Sequence, residues 1–454
     1  MKEKKKSKLK IALIVFAALI IFAAVYTSVN SWLDSRPQLN YQYNILAGPP
    51  PPYPDEFFAV ISDLHQYDGS LGTTGSAFNE TLHSDRKLLL DSEALLDFAI
   101  DSILSSDVNF VLIPGDLTKD GELVNHQIVS GKLKRLTDAG LKVYVVPGNH
   151  DVNNPDAVSY SGDSTTPVPT ITAGDFAEIY KDFGYGGALY RDAGSLSYVA
   201  EPADGLWLLA IDACRSAENQ PGQGEIVGGK ISQETADWIS GVLSEACSLN
   251  KSVIVMMHHG LTEHWDGQAK LHPDYIIEDF RHVGALLASY GVRLAFTGHY
   301  HAQDITRADF DDGFLYDVET GSLVTAPCPI RYCLISGNSA QIQSDTIVDK
   351  LYPGTDFAET ATAFVKTTVV MEAYNTLKKY NVSDKDAEYI ADALGDAFVA
   401  HYYGDEVLAD KPYFDKSRLN IWGRFVLFIQ RYVLENLWID LSPTDNNATF
   451  SLDK

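Results

Sequence analysis

From residue 57 to about residue 345, short apolar, β-prone runs alternate with stretches whose apolar positions recur every three or four residues. The runs lie at 57–62, 109–114, 142–147, 206–211, 252–257 and 292–297. Several are almost uninterruptedly apolar, the pattern of strands covered on both faces. Between them, 88–104 and 131–139 carry helical spacing and read as crossover helices. Later runs at 314–319, 331–335 and 341–347 predict short antiparallel strands. The whole predicts an α/β domain, a layered two-sheet β-sandwich flanked by helices. Two polar excursions, 66–91 and 152–174, are rich in Gly, Thr and Ser and have room to act as lids or substrate loops.

After residue 350 the pattern changes. Segments 356–380, 384–403 and 417–438 carry helical spacing and predict a C-terminal α-helical domain over 350–454. Ser383 followed by Asp386 makes a capping-box-like start. Ile421, Phe425, Phe428 and Tyr432 form a stripe at spacings of three and four, read as the core-facing side of a helix.

The N-terminus follows another rule. Six lysines lie within the first ten residues, and residues 11–29 carry no charge. At about 1.5 Å per residue such a helix spans a bilayer core of about 30 Å. This predicts a transmembrane anchor over 1–30, with the lysines cytoplasmic and the large domain outside the cell membrane. A cleaved signal peptide, leaving a secreted domain, is the alternative. Residues 31–55 form a polar linker ending in Pro49-Pro50-Pro51-Pro52-Tyr53-Pro54, an extended spacer. The domain boundaries are then 56–349 for the α/β part and 350–454 for the helical part.

Charge narrows the partners. The net charge is -26, and setting aside the first ten residues leaves 29 basic and 60 acidic ones. Such a body repels nucleic-acid polymers. A small phosphate ester stays compatible, because bound metal ions dominate the field inside a cleft. None of the four cysteines forms a CxxC. Cys328 and Cys333 are close enough in sequence to pair in an oxidising compartment, with buried thiols as the other reading.

Five short motifs carry the chemistry, each just after a strand-like run. They are Asp63-Leu64-His65, Gly115-Asp116, Gly148-Asn149-His150-Asp151, His258-His259 and Gly298-His299-Tyr300-His301. Residues i and i+2 at a strand end point to one side, so Asp63 pairs with His65 and His299 with His301. Asp116 has two carboxylate oxygens and can bridge two cations. Asn149 offers a neutral carbonyl oxygen. His150 then faces the cleft without being needed as a ligand, and Asp151 is expected to hold its ring. His258 and His259 point oppositely, so only one joins the site. Mixed nitrogen and oxygen donors suit two Mn, Fe or Zn ions better than Ca or Mg.

Over residues 56–345 these motifs resemble the calcineurin-like metallophosphoesterase family. The resemblance implies one ion on Asp63, His65, Asp116 and His301, and another on Asp116, Asn149, His258 and His299. The choice of His258 over His259 follows the family habit. Purple acid phosphatases carry a tyrosine where Lys119 stands, and serine/threonine phosphatases an arginine where Asp120 stands; both departures count against those activities. The chain is most similar to bacterial membrane-associated class III cyclic-nucleotide phosphodiesterases with an added C-terminal helical domain. The resemblance implies a binuclear phosphodiesterase acting on a small phosphodiester such as a cyclic nucleotide. A hydroxide held by the metals would attack phosphorus, with His150 as the acid and Asp151 orienting it. The alternative is a phosphomonoesterase or pyrophosphatase acting on extracellular nucleotides or lipid head groups.

Overall fold

The computed structural model describes residues 50–429 and 431–453. The expected anchor over 1–30 and most of the linker 31–55 lie outside the described residues. Among the described residues, no helix is long and apolar enough to cross a membrane.

Strands β1 (Glu56–Val60), β2 (Phe110–Ile113) and β3 (Lys142–Val145) run parallel in the first sheet. A hairpin, β4 (Val158–Ser161) and β5 (Ser164–Pro167), stands apart from it. The second sheet takes β6 (Tyr190–Arg191), β7 (Tyr198–Ala203), β8 (Leu206–Ile211), β9 (Ser252–Met257), β10 (Leu294–Thr297), β11 (Asp304–Phe310) and β12 (Gly313–Glu319). The chain then returns to the first sheet with β13 (Pro329–Ser336), β14 (Ser339–Thr346) and β15 (Asn447–Ser451). Strand orders are β15-β14-β13-β1-β2-β3 and β11-β12-β10-β9-β8-β7-β6. Every residue of β8 and β9 is buried, as their unbroken apolar sequences require. Between the sheets, Phe58 stacks on Phe110 at 4.5 Å and meets Phe296 edge-on at 5.2 Å. That contact is the centre of the two-sheet sandwich.

Helices cover the outer faces. Leu95, Leu96, Ala99, Ile100 and Ile103 form the buried stripe of the helix Ser92–Leu104. The helix Leu123–Asp138 begins eight residues before its expected start, because its first turns carry the polar but buried Asn125 and His126. The excursions 66–91 and 152–174 are ordered rather than bare loops. The first contains the helix Ser76–Ser84, whose Phe78 stacks on Tyr67 at 5.5 Å and meets Tyr160 of β4 at 5.3 Å. The two excursions thus share a small apolar core of their own.

Three sequence expectations change. The proline run is not a bare spacer: the Tyr53 hydroxyl donates to the Val253 carbonyl and accepts from the Arg293 amide, seating this segment on the second sheet. Residues 350–453 are not wholly helical. After the hairpin of Phe357–Lys379 and Asp384–Tyr403, the chain ends in β15 at the edge of the first sheet. The expected helix over 417–438 is described as helical over Ile421–Ile429 and Arg431–Asn436. Its apolar stripe does not face the core: Ile421 is 88% and Phe428 62% exposed. The helix buries Gly423, Val426 and Leu427 instead, because Gly423 lets it press on Asp386. The Ser383 cap does form, its side chain accepting from the Asp386 amide. All four cysteines are free thiols, with Cys328 and Cys333 buried.

Phe450 of β15 stacks on Tyr316 of β12 with ring centroids 3.9 Å apart, clasping the two sheets. Phe450→Ala should therefore cost about 3 kcal/mol by cavity formation. Urea unfolding of the two proteins measures it, and equal midpoints would mean the last strand is peripheral.

Candidate active site

Five parallel strands end at one place. The ends of β1, β2 and β3 deliver Asp63 and His65, Asp116, and Asn149 and His150. The ends of β9 and β10 deliver His258, and His299 and His301. Sites in open α/β sheets gather at such carboxyl ends. Here both sheets contribute, so the cluster lies across the open rim of the sandwich.

The backbone is bent to present these side chains. Asp63, His65, Asp116, His299 and His301 all have positive φ, between 37° and 78°. Non-glycine residues adopt that region at a cost of about 1–2 kcal/mol each. Main-chain bonds hold them there: Asp63 N to Gly115 O at 3.2 Å, His65 N to Asp116 O at 3.0 Å, and Gly298 N to His258 O at 3.0 Å. The Asp63 carboxylate accepts from the His299 amide at 3.1 Å and from Ser62 Oγ at 2.5 Å. The motif glycines allow close approach. A methyl group on Gly148 would strike the Asp116 carboxylate, and one on Gly298 would strike Asp63 and Ser62.

Two adjoining triads result. In the first, His301 Nε2 lies 3.4 Å from Asp63 Oδ1 and 3.2 Å from His65 Nε2. The second joins Asp116, His258 and His299. Asp116 Oδ2 lies 3.2 Å from His258 Nε2 and 3.6 Å from His65 Nε2, so one oxygen faces both triads. Asn149 Oδ1 lies 3.1 Å from His258 Nε2. Outer bonds fix which ring nitrogen is turned inward. His258 Nδ1 lies 2.8 Å from the Pro114 carbonyl, which leaves Nε2 inward. His299 Nε2 lies 3.2 Å from the Asp274 carbonyl, which leaves Nδ1 inward. His301 Nδ1 lies 3.3 Å from Thr325 Oγ1. His259 turns away, with Nε2 2.9 Å from the Val227 carbonyl and its ring 4.5 Å from that of His299.

The electrostatics suit cations. Burial, then the charge of Lys87, holds His65 well below its ordinary pKa; burial and the neighbouring His259 and His258 do the same to His299. Burial opposes charge on Asp116, yet the surrounding histidines hold its carboxyl well below the usual range. The lone pairs of His65 and His299, beside anionic oxygens in a buried pocket, join a donor set for two adjacent metal ions.

The position of Asp151 corrects one expectation. It does not orient His150. It accepts from Gly148 N at 2.9 Å, Leu117 N at 3.1 Å, Thr118 N at 3.0 Å and Thr118 Oγ1 at 2.9 Å, tying two motif loops together. Consecutive residues in this turn point apart, so neighbourhood in sequence misled. The carboxylate on His150 is Asp120, 2.9 Å from Nδ1. Two further groups at His150, Lys87 and Glu225, went unforeseen, and they join the expected Asp116. Lys87 Nζ is 3.4 Å and Glu225 Oε1 3.7 Å from Nε2, and Asp116 Oδ2 is 3.9 Å away. Burial and Lys87 oppose protonation of His150, but Asp116, Glu225 and Asp120 outweigh them and push it up to about 10. The signal for Lys87 was its place in the 66–91 excursion, and for Asp120 its place four residues after Asp116.

The sequence model of the family described as calcineurin-like phosphoesterase matches residues 58–303. No curated protein matches the chain. Solved structures do. A dimetal phosphatase from Danio rerio is 15% identical, with 65% of this chain and 97% of that chain covered, at a TM-score of 0.46. A purple acid phosphatase from yellow lupin (Lupinus luteus) seeds is 11% identical, with 65% of this chain and 52% of that chain covered, at a TM-score of 0.39.

Asp151→Asn places amide hydrogens against buried N–H donors and should destabilise the fold by about 3 kcal/mol. Asp120→Asn should change stability far less. Paired urea melts compare them, and the reverse order would return the orienting role to Asp151.

Proposed function

The chain belongs to the calcineurin-like phosphoesterase family and is a metal-dependent phosphoester hydrolase, and on that premise we propose that it cleaves small phosphodiesters, cyclic nucleotides foremost. The observation that carries this reading is His150, an imidazole outside both triads yet 3.9 Å from the Asp116 oxygen they share. Asp63, His65, Asp116 and His301 would hold one ion; Asp116, Asn149, His258 and His299 would hold the other. Such a pair of ions supplies charge neutralisation of the phosphate oxygens and activation of water.

The protein's own groups do the rest. Asp120 accepts the Nδ1 proton of His150, which directs Nε2 at the reacting phosphate. When one P–O bond of a diester breaks, its ester oxygen departs as an alkoxide, a poor leaving group that needs a proton, and His150 Nε2 is the donor. Lys87 converges on the same point and would bind a phosphoryl oxygen. Asp120 and Glu225 flank His150, and Lys119 is neutralised by its ion pair with Asp120. This wall disfavours the second negative charge of a monoester and tolerates the single charge of a diester. A cavity of about 500 Å³ beside the site is lined by Arg86, His272, Tyr275, Tyr300, Glu372 and Phe398. Tyr275 lines it while its ring lies 4.8 Å from that of His299, which supports a substrate with an aromatic body such as a nucleobase. The N-terminal lysines and apolar stretch support a membrane-tethered enzyme working outside the cytoplasm.

Full-length protein loaded with Mn should hydrolyse 3′,5′- and 2′,3′-cyclic nucleotides and bis(p-nitrophenyl) phosphate with higher kcat/KM than p-nitrophenyl phosphate. A preference for the monoester would overturn the diester reading. Asp116→Asn should lose metal. His150→Ala should keep its metal and lose about 10²–10⁴-fold in kcat. Asp120→Asn should show a smaller loss of the same kind, and full activity of His150→Ala would remove it as the acid.

A further inference from the structure

A second charged cluster is buried where the C-terminal segment meets the second sheet. β11 opens on Asp304, three residues after His301. Asp304 Oδ1 receives His264 Nδ1 at 2.7 Å and Thr306 Oγ1 at 3.0 Å. Its Oδ2 has no hydrogen-bond partner and lies 3.9 Å from His401 Nδ1. His401 occupies the last turn of Asp384–Tyr403, with Nδ1 2.8 Å from Glu406 Oε1. The other Glu406 oxygen is buried without a partner. Asp304 and His401 are wholly buried, and Glu406 is 7% exposed.

Buried carboxyl groups outnumber the basic side chains around this point. Asp304, Asp317, Glu319, Glu406 and Asp445 are all buried. Two of them are satisfied: Asp317 by Leu261 N, Thr262 N and Thr297 Oγ1, and Asp445 by Ile305 N and Asp405 N. The buried guanidinium of Arg331 gives its hydrogens to the main-chain oxygens of Glu319, Asp304 and Asp445 and to Ser344 Oγ. His264 is spread over Asp304, Asp317 and Glu319. Glu319 Oε1 and Asp440 Oδ1 are left unpartnered. Buried carboxylate oxygens without donors are costly.

We propose that Asp304, His401 and Glu406 bind a structural divalent transition-metal ion, of the zinc class, separate from the catalytic pair. Their ligand-type atoms lie within 4.8 Å of one another and come from three segments. Protons would have to be supplied oxygen by oxygen, whereas one ion satisfies Asp304 Oδ2 and Glu406 together. One imidazole with carboxylates suits zinc or manganese; calcium takes oxygen donors only. The ion fastens the C-terminal helices to the strand that follows the catalytic histidines.

Metal analysis by plasma mass spectrometry tests this on the full-length chain. Asp63→Asn with Asp116→Asn unloads the catalytic centre, and after zinc loading and dialysis one zinc per chain should remain. Adding Glu406→Gln should remove it. In the wild-type background Glu406→Gln should lose one ion per chain while phosphoester turnover persists. X-ray absorption of the unloaded chain should show a shell with a single imidazole, and zinc should raise its Tm. No bound zinc and no Tm response would overturn the proposal, as would a multi-imidazole shell, which would place the ion in the catalytic cluster. These last two readouts decide the matter even if Glu406→Gln fails to fold.

Discussion

The Asp116 carboxylate is kept almost dry, 1% exposed, among three imidazoles. An anion in that position is tolerable only where positive charge is held around it, and it draws the ends of five strands to one rim. The parallel cores β1–β2–β3 and β8–β9–β10 exist in many proteins as plain layers. Here they are set so that their carboxyl ends meet, and the Phe58, Phe110 and Phe296 contact fixes the spacing between them. Stability comes from those apolar layers, while the rim draws on it. Five strained backbone positions at about 1–2 kcal/mol each add up to a large share of the net stability of an ordinary domain. They persist because main-chain and side-chain bonds tie the motif loops to one another, so the loops are over-determined as a set.

That mutual pinning explains the role of Asp151. A carboxylate holding three amides and a hydroxyl joins the loop after β2 to the loop after β3, and keeps Asp116 and Asn149 in register. Asp120, by contrast, faces the cleft and has its charge shared between His150 and Lys119. Two aspartates, one next to His150 in sequence and one thirty residues before it, thus do opposite work, one building the floor and one setting the proton on the imidazole.

What could be read from the sequence follows from how local each signal is. The unbroken apolar runs of β8 and β9 state their burial directly, and the motif residues announce themselves because each follows such a run. Lys87 and Glu225 reach His150 only through long-range folding of polar segments, and beyond the place of Lys87 in the 66–91 excursion no local pattern marks them. The Ile421, Phe425 and Phe428 stripe has perfect helical spacing, yet spacing says only that residues share a face, not that the face is covered. β15 escaped notice because Asn447, Thr449 and Ser451 alternate with Ala448 and Phe450, a one-sided edge strand whose pattern matters only once β14 lies beside it. Tyr53 is similar: a tyrosine in a proline run reads as linker until its hydroxyl finds a carbonyl on β9.

The C-terminal segment reaches the catalytic rim through aromatic rings. Tyr300, between the two histidines of the last motif, meets His401 at 5.7 Å and Tyr402 at 6.3 Å. It also meets Tyr275 at 4.8 Å, and Tyr275 meets His299 at 4.8 Å. Close-packed rings transmit displacement because the interior has no slack to absorb it. The main chain adds a second link, as Gln303 N bonds to the Tyr402 carbonyl. The helix carrying His401 therefore backs the wall behind His299 and His301.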